Sequence, residues 1–285
     1  MQSELITNAD GSIYHLNLHS EQLADTIILV GDPNRVADVT KHFDFLEYKV
    51  QHREFVTHTG FLGKKRLSVV ATGIGTDNID IVLNELDAIK NYDLISQQPK
   101  PDFTPLQFVR VGTSGAMQAE IRPDSFVFSE FAIGLDGLLG FYVQNNDPNC
   151  IELKQKLMAE MPELAQMCVP QVSRVTLNGV FETGMTKGIT VTCAGFYAPQ
   201  GRQLRYKLAQ PDFIQKISQF TYNQILTTNF EMETAGIFGL AQILGHKACS
   251  LNAILANRIT QEFSKNPHKT IEQLIIKTLE KIVTI

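Results

Sequence analysis

Four segments of the chain gather residue types that could hold a charged, heterocyclic small molecule. The first, Ile28-Leu29-Val30-Gly31-Asp32-Pro33-Asn34-Arg35-Val36, ends an apolar run at a glycine and continues with a proline. Gly31 permits close approach, Pro33 suits a first helical turn, and Arg35 could close over an anion held by backbone N–H groups. The second, Phe108-Val109-Arg110-Val111-Gly112-Thr113-Ser114, sets an arginine between two valines. A guanidinium inside an apolar strand is costly without an anionic partner, which could be a ligand or a buried carboxylate. Thr113 and Ser114 add hydroxyls at the strand end, where open α/β sheets place their ligands. Brought together, Arg35 and Arg110 would form a compact oxyanion clamp.

The third segment, Phe196-Tyr197-Ala198-Pro199-Gln200-Gly201-Arg202, puts an amide and a guanidinium on a Pro/Gly loop behind two aromatic rings. The amide donates and accepts and the guanidinium only donates, a pair suited to a planar heterocycle with carbonyls and a ring N–H. A solvated loop with an aromatic plug has the same composition. The fourth, Asn229-Phe230-Glu231-Met232-Glu233-Thr234, flanks a methionine with two carboxylates. Carboxylates accept from sugar hydroxyls and Met232 offers an apolar face; Glu233 serves equally as the complement of a helix N-terminus. A further glycine turn, Thr72-Gly73-Ile74-Gly75, reads equally as a ligand-facing turn or a plain strand-to-helix connection, and His15, taken alone, as a surface histidine. There is no GxxxxGK[ST] loop and no GxGxxG opening a helix, so NTPase-type phosphate binding and dinucleotide binding have no support.

The elements that must position these residues alternate. Strand patterns run over Thr26–Val30, Arg66–Thr72, Leu106–Gly112, Ser125–Ile133, Gly188–Cys193 and Lys247–Ala256. Helical spacing predicts helices over Asp77–Asn91, on Ile81, Leu83, Leu86 and Ile89, and over Glu233–Leu244 and Thr270–Ile282. Gly245 stands where the second of these would end. The alternation predicts one α/β domain, residues 1–285, built on a mixed sheet. Residues 93–105, with three prolines, read as a surface loop inserted in it.

The net charge of −5 and the absence of a Lys/Arg run argue against duplex nucleic acid or an anionic membrane as partner. The longest apolar stretch, Ala235–Ala256, is interrupted by Gln242, His246 and Lys247 and falls short of a membrane span. The N-terminus lacks a charged start with an apolar run, so no signal peptide is expected. Four widely spaced cysteines make neither a metal pattern nor a disulfide framework, which predicts core thiols in a reducing cytoplasm.

In order and spacing, the pieces IYHLNL, GDPNRV, HREF, TGIG, RVGTSGA, FYAPQGR, FEMET and ANRITQE resemble the uridine phosphorylase branch of the nucleoside phosphorylase-I family. They span His15 to Glu262, nearly the whole chain. The Gln–Arg pair of the FYxxQxR loop is the family's uracil-recognition element. Purine-acting relatives carry an aspartate near the strand that here reads Ala256-Asn257-Arg258. The resemblance implies a mixed, partly barrel-like sheet flanked by helices. It implies phosphate bound by Gly31, Arg35, Arg110 and Thr113, with Arg53 completing a neighbouring subunit's phosphate site. His15 would reach that neighbour's ribose, while Glu231, Met232 and Glu233 hold the subunit's own. Phe196 would contact the base, Gln200 and Arg202 read uracil, and Arg258 supports their loop.

The implied reaction is reversible phosphorolysis of uridine to uracil and ribose 1-phosphate in pyrimidine salvage. Inorganic phosphate is the co-substrate, and no cofactor is implied. Alternatives are a broader pyrimidine (deoxy)nucleoside phosphorylase, a nucleoside hydrolase and a non-catalytic nucleoside-binding relative. The implied assembly is a homodimer with shared sites, built into a homohexamer. Some relatives hold a monovalent cation such as potassium at the dimer interface. The matching residues here are Glu54, Ile74 and Asn78, an amide standing where those relatives have a serine. The segment TCAGFY also departs from the Ser/Asp/Thr-rich stretch of many bacterial members.

Overall fold

A computed structural model describes residues 4–143, 147–177 and 179–284; the outermost residues of the expected 1–285 domain lie outside these. The elements in chain order are β1 (Thr26–Val30), α1 (Pro33–Thr40), β2 (Phe45–His52), β3 (Phe55–Leu62), β4 (Lys65–Ala71), α2 (Thr76–Asn91), β5 (Tyr92–Asp93) and β6 (Gln98–Pro99). There follow β7 (Gln107–Ala116), β8 (Phe126–Gly134), α3 (Pro148–Glu160), α4 (Leu164–Met167), β9 (Gln171–Arg174) and β10 (Thr186–Thr192). The chain continues with α5 (Phe213–Gln219), β11 (Thr221–Tyr222), β12 (Ile225–Glu231), α6 (Thr234–Ile243), β13 (Lys247–Asn257) and α7 (Pro267–Ile282).

Every strand and helix read from the periodicity is present, with ends moved by a few residues. On α2 the buried stripe is Ile79, Val82, Leu83, Leu86 and Ile89. Ile81 stands at its margin, because a 3.6-residue period starting at Ile79 leaves it a quarter-turn or more aside. Helix α6 is buried almost all round, from Thr234 to Ala241, as a helix packed between sheet and other helices must be. Gly245, with φ of 81°, ends it as expected. The 93–105 segment is more than a loop: Tyr92–Asp93 pairs with Gln98–Pro99, and Phe103 stacks on buried His246 at 5.5 Å.

The main sheet is mixed. The parallel strands β4, β1, β7 and β13 run side by side, with the antiparallel strands β3 and β2 beyond β4. On the other side the order continues β13–β8–β10–β12, and β12 pairs back onto β7. Strands β7, β13, β8, β10 and β12 therefore close a five-stranded ring, which is the barrel-like part of the expected fold. Strong curvature needs devices. The register shifts between Gly188 and Ile189 in β10 and between Ile254 and Ala256 in β13, and such irregularities let a sheet bend.

Parallel β1, β4 and β7 all point the same way, so the turns that follow them share one end of the sheet. Asp32 caps α1 there through the Asn34 N–H at 2.9 Å, and Pro33 takes the first helical position. All four cysteines are free, three of them buried. Burial pushes every thiol up, Cys150 to about 12, so none is primed as a nucleophile at neutral pH.

Closure of the ring depends on Gly188, where any Cβ would overlap the Thr228 side chain of β12. Gly188→Val is expected to destabilise the protein by about 1–3 kcal/mol through overpacking. Urea unfolding should show this as a lowered midpoint with an unchanged slope.

Candidate active site

One cavity of about 1030 Å³ opens at that end of the sheet. Its wall brings together Gly31, Arg35, Arg110 and Thr113, then Glu231, Met232 and Glu233, then Phe196, Gln200 and Arg202. All ten of the residues expected to meet ligand within one subunit thus border a single space.

Arg110 is the centre of the charged part. Its side chain is 6% exposed and donates through Nη1 to Asn252 Oδ1 at 2.8 Å. Its Nη2 lies 2.5 Å from Glu233 Oε2 and 3.0 Å from Glu231 Oε2. Burial opposes its charge, but the two carboxylates outweigh that and raise its pKa further above the ordinary arginine range. The guanidinium is therefore paired with buried carboxylates and also borders a cavity. Gly112 explains how it fits, since any Cβ there would overlap the guanidinium.

The two carboxylates divide the work. Glu231 accepts from Thr192 Oγ1 at 2.7 Å and from the backbone N–H groups of Glu233 and Thr234, the first of α6. The helix N-terminus is thus complemented by Glu231, whereas Glu233, the N-cap residue, makes no capping bond. Glu233 Oε1 instead accepts from the Gly75 N–H at 2.8 Å, so the TGIG turn is part of the site. Gly75 takes φ of 96°, which a residue with a Cβ rarely adopts. Burial pushes the Glu233 carboxyl above its ordinary range, even against Arg110.

Arg35 donates to the Val111 carbonyl at 3.3 Å. Burial and the nearby Arg110 charge hold it below the usual arginine value. Two cations held close together beside a cavity favour an anion there.

The aromatic loop forms the other part. Arg202 lies over the Phe196 ring at 3.7 Å and donates to Gln200 Oε1 and to the Phe196 carbonyl, both at 2.6 Å. Burial and the Arg258 charge lower its pKa. Gln200 is buried, and its oxygen is taken by Arg202, so the donor it offers a ligand is its NH2 group. Phe196 is 52% exposed beside the cavity. Arg258 donates to the Gly201 carbonyl at 3.4 Å, which ties the loop to the end of β13.

Two expected residues lie elsewhere. Arg53 opens the two-residue turn between β2 and β3 with φ of 53° and stacks on Tyr14 at 5.1 Å. His15 meets Glu85 through Nδ1 at 2.6 Å, and its carbonyl faces His52 Nδ1 at 2.9 Å. Arg53 and His15 thus cluster on a surface outside the cavity. Glu54, Ile74 and Asn78 do border the cavity. Among the described residues no group of three or more His, Cys, Asp or Glu could hold a metal ion.

Residues 25–284 match the phosphorylase superfamily. The chain belongs to that superfamily. Its members include a uridine phosphorylase of Thermococcus kodakarensis, 30% identical over 91% of this chain and 83% of the relative. A DeoD-type purine nucleoside phosphorylase of Clostridium perfringens is 25% identical over 95% of this chain and 99% of its own. A solved Trypanosoma brucei nucleoside phosphorylase, described as showing uridine phosphorylase activity, superposes with a TM-score of 0.89. It is 26% identical, covering 99% of this chain and all of that one. The family expected from eight short motifs is the family matched by most of the phosphorylase chain.

Sequence reasoning passed over Gly112, Asn252 and Thr192. The first two carry a signal in retrospect: a glycine two residues after a buried arginine, and an amide alone in the apolar run Leu251–Ile254. Gly112→Ala is expected to displace the Arg110 guanidinium. Inorganic phosphate binding, read by calorimetry, should weaken roughly ten- to a hundredfold, the loss of one charge-assisted contact, while the chain stays folded.

Proposed function

We propose that the chain is a uridine phosphorylase, catalysing reversible phosphorolysis of uridine to uracil and ribose 1-phosphate in pyrimidine salvage. The observation that carries this reading is the shared cavity, with an Arg35–Arg110 pair, a Glu231–Met232–Glu233 segment and a Gln200–Arg202 pair stacked on Phe196. Phosphate held by the Gly31 turn, Arg35, Arg110 and Thr113 attacks C1′. The C1′–N1 bond breaks, its electron pair goes to the base, and the sugar carries oxocarbenium-like charge on the way. The phosphate dianion opposes that charge, and Glu233 accepts from a ribose hydroxyl. Arg202 and Gln200 donate to the pyrimidine carbonyl as it becomes anionic, so these bonds strengthen in the transition state. Uracil leaves as an anion that a solvent proton neutralises.

Arg53 and His15, outside the subunit's own cavity, are proposed to complete a neighbour's site, in a homodimer assembled into a homohexamer. The cytoplasm is the proposed location, in keeping with four unpaired thiols. Glu54, Ile74 and Asn78 border the cavity, and Asn78 stands where the relatives' serine would be. The proposed reaction routes no step through an ion.

Base release from uridine, thymidine and inosine with and without inorganic phosphate tests the reading. Phosphate-dependent turnover of uridine to ribose 1-phosphate is expected. Release without phosphate would make the chain a hydrolase, turnover of inosine alone would overturn the pyrimidine assignment, and binding without product would remove the enzyme. Arg202→Ala should lower uridine turnover roughly a hundredfold, the effect of one transition-state donor worth about 3 kcal/mol, and a near wild-type rate sinks the assignment.

The pH dependence follows from Glu233. A carboxyl pushed up by burial is protonated, and so a poor acceptor, at the acid end and becomes competent as pH rises. The acid limb of kcat/KM for uridine is therefore expected above the ordinary carboxylate range. In Glu233→Gln, which is slower throughout, this limb should vanish while any limb from ionisation of phosphate itself persists.

A further inference from the structure

The interior of the five-stranded ring is crossed by a polar chain that begins at Arg110 and touches every strand of the ring. Arg110 Nη1 donates to Asn252 Oδ1 at 2.8 Å. Asn252 Nδ2 donates to Ser129 Oγ at 3.3 Å and to Ser250 Oγ at 3.2 Å. Ser129 Oγ is 2.6 Å from Thr190 Oγ1, Thr190 donates to Asn229 Oδ1 at 2.9 Å, and Asn229 Nδ2 donates to Ser114 Oγ at 2.8 Å. These residues sit on β7, β13, β8, β10 and β12, and the last returns the chain to β7, at the cavity wall.

The chain has one direction. A guanidinium has donors only, so Asn252 must turn its oxygen to Arg110 and its NH2 away. The single Thr190 hydrogen goes to Asn229, so the Ser129 hydroxyl donates to Thr190. Each amide is thereby locked against a flip by the next partner. Asn252, Ser129, Thr190 and Asn229 are all fully buried, where polar groups cost stability unless every one is satisfied. Apolar residues would fill a small ring more simply, so the retained amide calls for a reason beyond packing.

Register supplies that reason. In the parallel pair of β7 and β13, Asn252 stands opposite Gly112, the glycine whose missing side chain is occupied by the Arg110 guanidinium. The arginine folds back along its own strand into a cradle of one strand's glycine and the next strand's amide. Glu231 and Glu233 hold Nη2; among the described residues Asn252 is the partner of Nη1.

We infer that Asn252 is a positioning residue for the anion site, holding the Arg110 guanidinium in its phosphate-binding pose against the pull of the two carboxylates. This rests on the phosphorolysis reading. Asn252 touches no substrate. With an apolar residue at 252, Nη1 loses its acceptor and the guanidinium settles toward Glu231 and Glu233, away from phosphate. The base-reading loop is built from other residues and is unaffected.

The test is Asn252→Leu, similar in size and unable to hydrogen-bond, with Ser129→Ala as a second variant that lies one hydrogen bond further from Arg110. Inorganic phosphate binding is measured by calorimetry, KM by steady-state kinetics, and folding by thermal unfolding. For Asn252→Leu the phosphate Kd and KM are expected to rise about tenfold or more, and the uridine KM to stay within about threefold. Ser129→Ala should move the phosphate values in the same direction by less. A folded Asn252→Leu protein with wild-type phosphate Kd overturns the inference, as does an equal rise in both KM values. If Asn252→Leu does not fold, an unchanged phosphate Kd in Ser129→Ala overturns it and a selective rise supports it. Wild-type protein that binds phosphate but does not turn over uridine would defeat the functional reading instead, and the calorimetric comparison would still decide the role of Asn252.

Discussion

A single buried guanidinium organises this protein. Arg110 lies in the middle of a β-strand, shared by Glu231, Glu233 and Asn252, and each of those partners belongs to a different constraint of the fold. Glu231 closes the N-terminus of α6, Glu233 fastens the Gly75 turn, and Asn252 enters the polar interior of the ring. Two carboxylates against one guanidinium leave the cluster negative, and Arg35 is the adjacent cation that balances it. On the proposed assignment an anion would meet two arginines whose partners are already fixed, so little rearrangement would be needed to receive it.

Topology brings these pieces together. Parallel β1 and β4 deliver two turns to one sheet end, the Gly31 turn with Arg35 and the TGIG turn, and β7 passes beside them with Thr113 and Ser114 in its later half. The ring then folds β12 back onto β7, which carries Glu231 and Glu233 to Arg110 from more than a hundred residues away. No local signal foretells that return. It depends on glycines at points of close approach, Gly188 against Thr228 and Gly112 against Arg110 itself. Each is invisible to propensity and decisive for shape.

Much of this was legible in the sequence, for a physical reason. The six strands that could be read are buried β-branched runs, and their periodicity survives whatever packs on them. The hairpin β2–β3 was missed because β2 alternates exposed and half-buried residues, β3 buries polar Thr57 and Thr59 alongside Phe55, and a two-residue Arg53-Glu54 turn with no glycine joins them. Helix α1 was readable only as a turn, since eight residues carry too little periodicity. At the site, Arg110 was legible because an arginine between valines needs an explanation. Its partners were not, because Glu231 and Glu233 could serve a sugar, a helix end or a cation with the same composition. The structure divides those roles: Glu231 takes the helix, and Glu233 takes the glycine turn and the arginine.

The division between ring and loop bears on how specificity is built. The anion and carboxylate groups stand on strands and strand ends locked by buried hydrogen bonds. The groups proposed to face the base stand on a short Pro/Gly turn: Arg202 is held by Gln200, by the Phe196 carbonyl and by the Phe196 ring, all within seven residues of one another. That loop touches the rest of the protein through Arg258, through Phe230, over which Arg202 lies at 5.8 Å, and through Ile214, packed where Gly201 has φ of 67°. On the proposed assignment, a substitution in the loop would change which heterocycle is accepted without disturbing Arg110, and one in the ring would alter how any anion is held, whatever the base. Chemistry common to many substrates would then rest on the part of the fold that is costly to change, and discrimination between them on the part that is cheap to change.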